Sequence, residues 1–129
     1  MKLLSASILA VAVLAGCGGM QTAQAPDTPT RTVDGVLIGP TGMTLYTFTR
    51  DTANSGKSVC NAQCATNWPA LVAPDAAKPM GGYTVVARDD GKKQWAYNGW
   101  PLYYWSKAAK PGDTTGDGFA NGAWKVARP

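Results

Sequence analysis

Leu45-Tyr46-Thr47-Phe48-Thr49-Arg50-Asp51 decides how this chain is read, because Leu102-Tyr103-Tyr104-Trp105-Ser106-Lys107-Ala108 repeats its pattern 57 positions later. The shared frame is Leu-Tyr-x-aromatic, and in each copy a Gly stands three residues before the Leu, Gly42 and Gly99. Alternating side chains with two β-branched Thr residues predict a strand in the first copy. On that strand Tyr46 and Phe48 share one face, Tyr103 and Trp105 share the matching face of the second, and Leu45 and Leu102 lie opposite.

Working outward, each frame closes a three-stranded unit. In the first, Arg31-Thr32-Val33 and Val36-Leu37-Ile38 flank Asp34-Gly35, a two-residue hairpin signal. Gly39 to Gly42 turns the chain, and Met43 to Thr49 is the third strand. In the second, Tyr83 to Arg88 is a strand, Asp89-Asp90-Gly91 a turn and Lys92 to Tyr97 the return strand. Asn98-Gly99 is a type I′ signal, and Trp100 to Ser106 is the third strand. Trp124 follows Trp68 by 56 residues, so both units end on a Trp. Cys60 to Trp68 reads as a short helix, with Ser58 as a cap and Pro69 as its stop. Ala70 to Met80 reads as an irregular connection and Lys107 to Asn121 as a Gly/Asp-rich loop. A lone unit could not bury its apolar face. The expected fold is therefore small and all-β: two homologous three-stranded antiparallel units, about 31–71 and 83–129, sharing one core within a single domain 31–129.

Upstream, Lys2 precedes a short apolar run ending in small residues, which reads as a secretory signal peptide over residues 1–16. Leu14-Ala15-Gly16-Cys17 resembles a bacterial lipobox. That resemblance implies diacylglycerol on the Cys17 thiol, cleavage before Cys17 and acylation of the new amino terminus, including a palmitate-type chain. Several acyl chains anchor stably, since each buried methylene contributes about 0.8 kcal/mol. Residues 17–30 read as the lipidated Cys and a disordered tether. The expected address is the bacterial cell envelope, with the domain facing periplasm or exterior.

The chain of 129 residues carries 12 Lys and Arg against 8 acidic residues, all of them Asp, and no His. The cations are scattered, so no nucleic-acid stripe exists. The absence of His excludes Ser-His-Asp and Cys-His catalysis, His-ligated zinc, blue copper and haem attachment through Cys-x-x-Cys-His. No cofactor is expected.

The lipobox, the paired Tyr-x-[Phe/Trp/Tyr]-x-x-Asp motif, Cys-x3-Cys before Trp-Pro and the terminal Gly-Asp-Gly…Trp-x-Val together resemble the bacterial lipoproteins described as a secreted repeat of unknown function. The resemblance covers about Val36 to the C-terminus. It matches fully at Tyr46, Phe48 and Asp51, and at Tyr103 and Trp105 in the second copy, where Ala108 replaces the Asp. Any chemistry that needs this acid belongs to the first copy alone. The family implies no established activity.

With Cys17 acylated, Cys60 and Cys64 are the remaining thiols, and in an oxidising compartment they are expected to pair. Regular helix geometry holds their β-carbons too far apart, so a distorted first turn is expected. Asp51 could pair with Asp113 or Asp117 as two catalytic carboxylates. Asp113 to Gly118 has a flavour of calcium loops but lacks their alternating acids and closing Glu. Five Trp and five Tyr exceed what a core this small needs. Trp100 and Tyr97, flanking the Asn98-Gly99 turn, are the candidate ligand-binding residues. The leading functional reading is a non-enzymatic, lipid-anchored module that binds cell-wall glycan or an envelope protein. The alternatives are a redox or Cu(I)-handling lipoprotein using Cys60 and Cys64, with Met43 or Met80 as a soft ligand, and a small carboxylate-dependent hydrolase.

Overall fold

A computed structural model of the chain describes residues 28–129. The signal peptide, Cys17 and nearly all of the expected tether lie outside the described residues. The elements run β1 (Arg31–Val33), β2 (Val36–Ile38), β3 (Tyr46–Phe48), α1 (Gln63–Asn67), β4 (Val72–Ala73), β5 (Tyr83–Ala87), β6 (Lys93–Tyr97), β7 (Trp100–Pro101), α2 (Phe119–Gly122) and β8 (Trp124–Val126). The fold is all-β and built of two antiparallel repeat units. Among the described residues no helix is long and apolar enough to cross a membrane.

The turn chemistry is as expected. Asp34 and Gly35 both take positive φ between β1 and β2, and Asn98 and Gly99 do so between β6 and β7, the pair of left-handed residues a type I′ turn demands. The third strands are shorter than their alternation suggests. β3 spans only three residues, and β7 ends at Pro101, after which Tyr103 pairs through isolated bridges.

How the units join could not be read from their pattern. Tyr46 N–H donates to Tyr103 O at 2.8 Å, and Tyr103 N–H donates back to Tyr46 O at 3.0 Å. The two motif tyrosines thus form a reciprocal antiparallel pair at the centre. Around it, each unit's last strand crosses over to complete the other unit. β8 pairs with β3, bringing Trp124 opposite Phe48. Leu37 N–H donates to Ala127 O, Ala127 N–H to Leu45 O, and Leu45 N–H to Leu37 O. The other half repeats this ring with Trp95 N–H to Leu71 O, Leu71 N–H to Leu102 O, and Leu102 N–H to Trp95 O. The segment Ala70 to Ala73, expected to be irregular, is the counterpart of Val126 to the C-terminus and contains β4. The repeats are interlocked, with no packing of one finished unit on another.

Side-chain alternation then gives two cores. On one face lie Tyr46, Phe48, Trp68, Tyr103, Trp105 and Trp124. On the other lie Leu37, Leu45, Leu71, Trp95, Leu102 and Ala127. The first is a column of rings. Phe48 stacks on Trp124 at 4.2 Å, Trp124 on Trp68 at 3.9 Å, and Trp68 on Trp105 at 4.0 Å between centroids. Tyr46 meets Trp68 edge-on and Tyr103 meets Trp124 edge-on. Each such pair contributes roughly 0.5–1.5 kcal/mol beyond the area it buries. The apparent surplus of aromatics is therefore mostly structural: a column needs a large ring at every level, which a Leu- and Val-based core would not.

The helix is shorter than expected. Chain between Cys60 and Ala62 is not helical, Ala62 has φ of 54°, and no side chain caps α1. Ser58 is buried elsewhere, so it is not the cap. Cys60 and Cys64 are disulfide-bonded with Cα atoms 5.2 Å apart; the distorted turn brings them together. In the Gly/Asp-rich loop, α2 is a tight turn whose Ala120 and Asn121 are left-handed.

Candidate functional site

Two places on this frame carry polar or aromatic groups beyond what the frame needs. The first is built on the family motif. Asp51 ends the turn after β3, and its N–H donates to Phe48 O. Its carboxylate is 4 % exposed. Oδ1 accepts from Val59 N–H at 2.8 Å, and Oδ2 accepts from the Tyr103 hydroxyl at 2.6 Å. The acid of the first copy therefore answers the tyrosine of the second. The Tyr103 hydroxyl also meets Ser58 Oγ at 2.6 Å. Arg88, buried after β5, donates through Nη1 to Ser58 Oγ and Gln94 Oε1 and through Nη2 to Cys60 O. Its Nε reaches the exposed Asp90 at 3.4 Å, the one salt bridge among the described residues. Gln94 Nε2 closes the network on Leu102 O.

Burial pushes the Asp51 carboxyl above its ordinary value, opposed by Tyr103, Val59 N–H and the charge of Arg88. Burial and the adjacent carboxylate push the Tyr103 hydroxyl strongly upward. Tyr103 thus remains a donor throughout the physiological range. Every hydrogen-bonding group here is occupied from within the protein, and the network pins the loop from Asp51 to Cys60 against the second unit. Arg88 and Gln94 escaped the sequence reading, and Ser58 was read there as a helix cap; an Arg closing an otherwise apolar strand was the available signal.

Neither candidate second carboxylate joins Asp51. Asp113 Oδ2 accepts from Ala109 and Lys110 N–H, and Asp117 Oδ1 accepts from Val126 N–H. Both acids organise turns, and the carboxylate pair is not assembled. Among the described residues no three His, Cys, Asp or Glu side chains cluster as a metal site would require. With Cys60 and Cys64 bonded to each other, neither offers a thiolate to a soft metal, and Met80 packs on the second core. On the Tyr46 side, where Ala108 replaces the acid, the hydroxyl accepts from Gly116 N–H at 3.2 Å and lies 3.4 Å from Asp113 O. Symmetric tyrosines thus meet very different partners.

The second place is a cleft of about 160 Å³ beside β6, β7 and β8, with Thr47, Tyr97, Asn98, Trp100 and Arg128 among its lining. Tyr97 and Trp100 are both half-buried, so Trp100 is less exposed than its place near a hairpin tip suggested. The structure brings the two candidate ligand-binding aromatics into one site. The cleft exists because the repeats differ here. Thr47 corresponds to Tyr104, whose ring lies so close over Gly39 that any Cβ there would collide with it. At the matching position of the other repeat the Tyr104 ring covers Gly39; here the smaller Thr47 borders an open cleft.

The fold and these sites define a small β domain of two interlocked repeats, with a buried motif network and an open aromatic cleft. The profile of the family described as a secreted repeat of unknown function matches twice, at residues 28–72 and 84–128, and the chain belongs to that family. No curated protein and no solved structure matches it.

Proposed function

We propose that this protein is a binding module of the cell envelope, held to a membrane through acylated Cys17, whose ligand site is the Tyr97–Trp100 cleft. One observation carries this reading. Two aromatics outside the ring column, Tyr97 and Trp100, line the same opening, where a small Thr47 stands at the position that Tyr104 takes in the other repeat. Half-buried rings with a polar rim stack on the apolar faces of sugars or on partner side chains. The lipobox-like Leu14 to Cys17 and the family's description as secreted support an address outside the cytoplasm, where cell-wall glycan and envelope proteins are the available ligands. The Asp51 carboxylate itself is closed in by protein hydrogen bonds, and the cavity of about 250 Å³ beside Arg88 and Asp90 has no aromatic lining.

The test is Trp100→Ala in the mature chain, assayed by co-sedimentation with purified cell-wall sacculi and by thermal melting. Binding should fall by at least tenfold while the melting temperature moves little, because the ring is already half in solvent. Unchanged binding, or a collapse of thermal stability that makes Trp100 a core residue, refutes the proposal.

A further inference from the structure

We infer that the cleft selects an anionic ligand: a saccharide carrying carboxylates, held by its ring face on Trp100 and by its acid group at Arg128. This rests on the cleft being the ligand site and specifies what that site recognises. The cleft lining contains Arg128 and no acidic residue. Arg128 is exposed, and its hydrogen bond to protein is a long one from Nη1 to Gly35 O at 3.3 Å. Asp34 neighbours that carbonyl in sequence, yet the one salt bridge among the described residues joins Arg88 to Asp90. The guanidinium is thus held by that single long hydrogen bond and by no carboxylate among the described residues, and its planar fork matches a carboxylate in two parallel hydrogen bonds.

A second cation stands beside it. Lys125 is the cross-strand partner of Thr47, itself part of the cleft lining. Directly opposed residues on an antiparallel pair project from the same face. Lys125 is exposed, so its stem leaves the sheet on the side of Thr47, next to the lining residues Val126 to Arg128. Both cations are specific to this half of the molecule. By the repeat offset that pairs Trp124 with Trp68, Lys125 corresponds to Pro69 and Arg128 to Val72. Where Tyr104 covers Gly39, the cations are missing too. Opening, aromatic pair and positive rim therefore occur together, as a ligand combining an apolar ring face with an anionic substituent requires.

The test compares tri-galacturonate with its methyl ester, which presents the same rings without charge, by titration calorimetry on the mature chain, Trp100→Ala, Arg128→Gln and Lys92→Gln. Lys92 is a cation beside α1, outside the cleft lining. The native chain should bind the acid form about tenfold more tightly than the ester, the size of one charge-assisted hydrogen bond, with a preference that weakens as salt rises. Arg128→Gln should lose most of that preference, binding the acid form close to the ester's weaker level, and melt normally. Lys92→Gln should behave as native, and Trp100→Ala should bind neither form. Equal affinity for acid and ester in the native chain, a preference undiminished by Arg128→Gln, or an equal loss in Lys92→Gln overturns the anionic specificity; the cleft reading then stands as long as Trp100→Ala abolishes binding. Absence of binding to either form, or binding that ignores Trp100→Ala, overturns both.

Discussion

The two motif tyrosines occupy matching positions and donate matching main-chain hydrogen bonds, so removing each hydroxyl in turn isolates what the hydroxyl alone contributes. Tyr103→Phe leaves the ring column intact but deprives buried Asp51 Oδ2 of its donor at 2.6 Å and Ser58 Oγ of its partner. An unsatisfied buried group costs about 1–3 kcal/mol, and a charged one lies at the upper end or beyond; about 3 kcal/mol is expected. Tyr46→Phe loses a 3.2 Å bond from Gly116 N–H and a 3.4 Å contact to Asp113 O, long interactions between neutral groups, for a loss of about 1 kcal/mol. For a domain near this size the difference corresponds to roughly 10 °C in melting temperature. The two losses also differ in their pH dependence. Burial already raises the Asp51 carboxyl, and the Tyr103 hydroxyl is among the groups holding it down. A raised folded-state value means the native state binds a proton that the unfolded chain has released. Stability therefore falls as pH rises through the window just above the ordinary carboxylate value. Without Tyr103's hydroxyl that window widens upward. The Tyr103→Phe deficit should be largest at neutral pH and shrink in mild acid, while the Tyr46→Phe deficit stays flat. Urea titrations and thermal melts followed by tryptophan fluorescence, at neutral pH and in mild acid, decide it. Melting temperatures within 2–3 °C of each other at neutral pH, or a Tyr103→Phe deficit that ignores pH, would refute the assignment of Asp51 as a charged, tyrosine-dependent anchor.

Reducing the Cys60–Cys64 bridge, or replacing both cysteines with Ala, should cost about 2 kcal/mol by loop-closure entropy for so short a ring; denaturation with and without reductant measures this, and a loss above about 4 kcal/mol would mean that the bridge orders far more than its own loop. Gly116→Ala drives a Cβ to 2.8 Å from Trp68 and 3.1 Å from Trp105, so it should lower stability by roughly 1–3 kcal/mol and alter the near-ultraviolet circular dichroism of the stacked rings. Because each unit's last strand completes the other, fragments 28–83 and 84–129 should each lack a cooperative unfolding transition and regain one on mixing. A cooperative melt in either fragment alone would show that the units are independently stable.

The hairpins were legible in the sequence because their turns are written in the residues that adopt them. Asp34-Gly35 and Asn98-Gly99 need positive φ at both positions, and these residue types supply it cheaply. The two-faced alternation of Leu45, Tyr46 and Phe48 was legible for the same local reason. The strand exchange was not. Val126 and Ala70 look alike whether they close their own unit or the neighbouring one, and only the three-dimensional ring of Leu37, Ala127 and Leu45 distinguishes the cases. The destination of the aromatics was hidden too, since a Trp in a stacked column and a Trp in a binding cleft have the same sequence signature. Ser58 was misread because a buried hydroxyl partner and a helix cap call for the same residue. Asp51 stands out in the sequence through its motif, yet its partner is Tyr103 of the other copy, 52 positions away, and no local pattern announces a bond across the pseudo-symmetric axis.

The repeat itself separates scaffold from function in this molecule. Groups that recur in both halves, the Leu and Tyr of each frame, the terminal Trp and the main-chain rings around them, are accounted for by the interlock and the ring column. What the chain does beyond folding must then reside where the halves diverge. One divergence, Asp51 against Ala108, is consumed by a closed network that staples a loop. The other gathers several differences at one place: Thr47 against Tyr104, Trp100 against Met43, Lys125 against Pro69 and Arg128 against Val72. A change from Tyr to Thr at an otherwise filled site forfeits packing, since interiors tolerate unfilled volume poorly. An opening in one half, together with two rings and two cations that the other half lacks at the matching positions, is the combination that the proposed binding site requires.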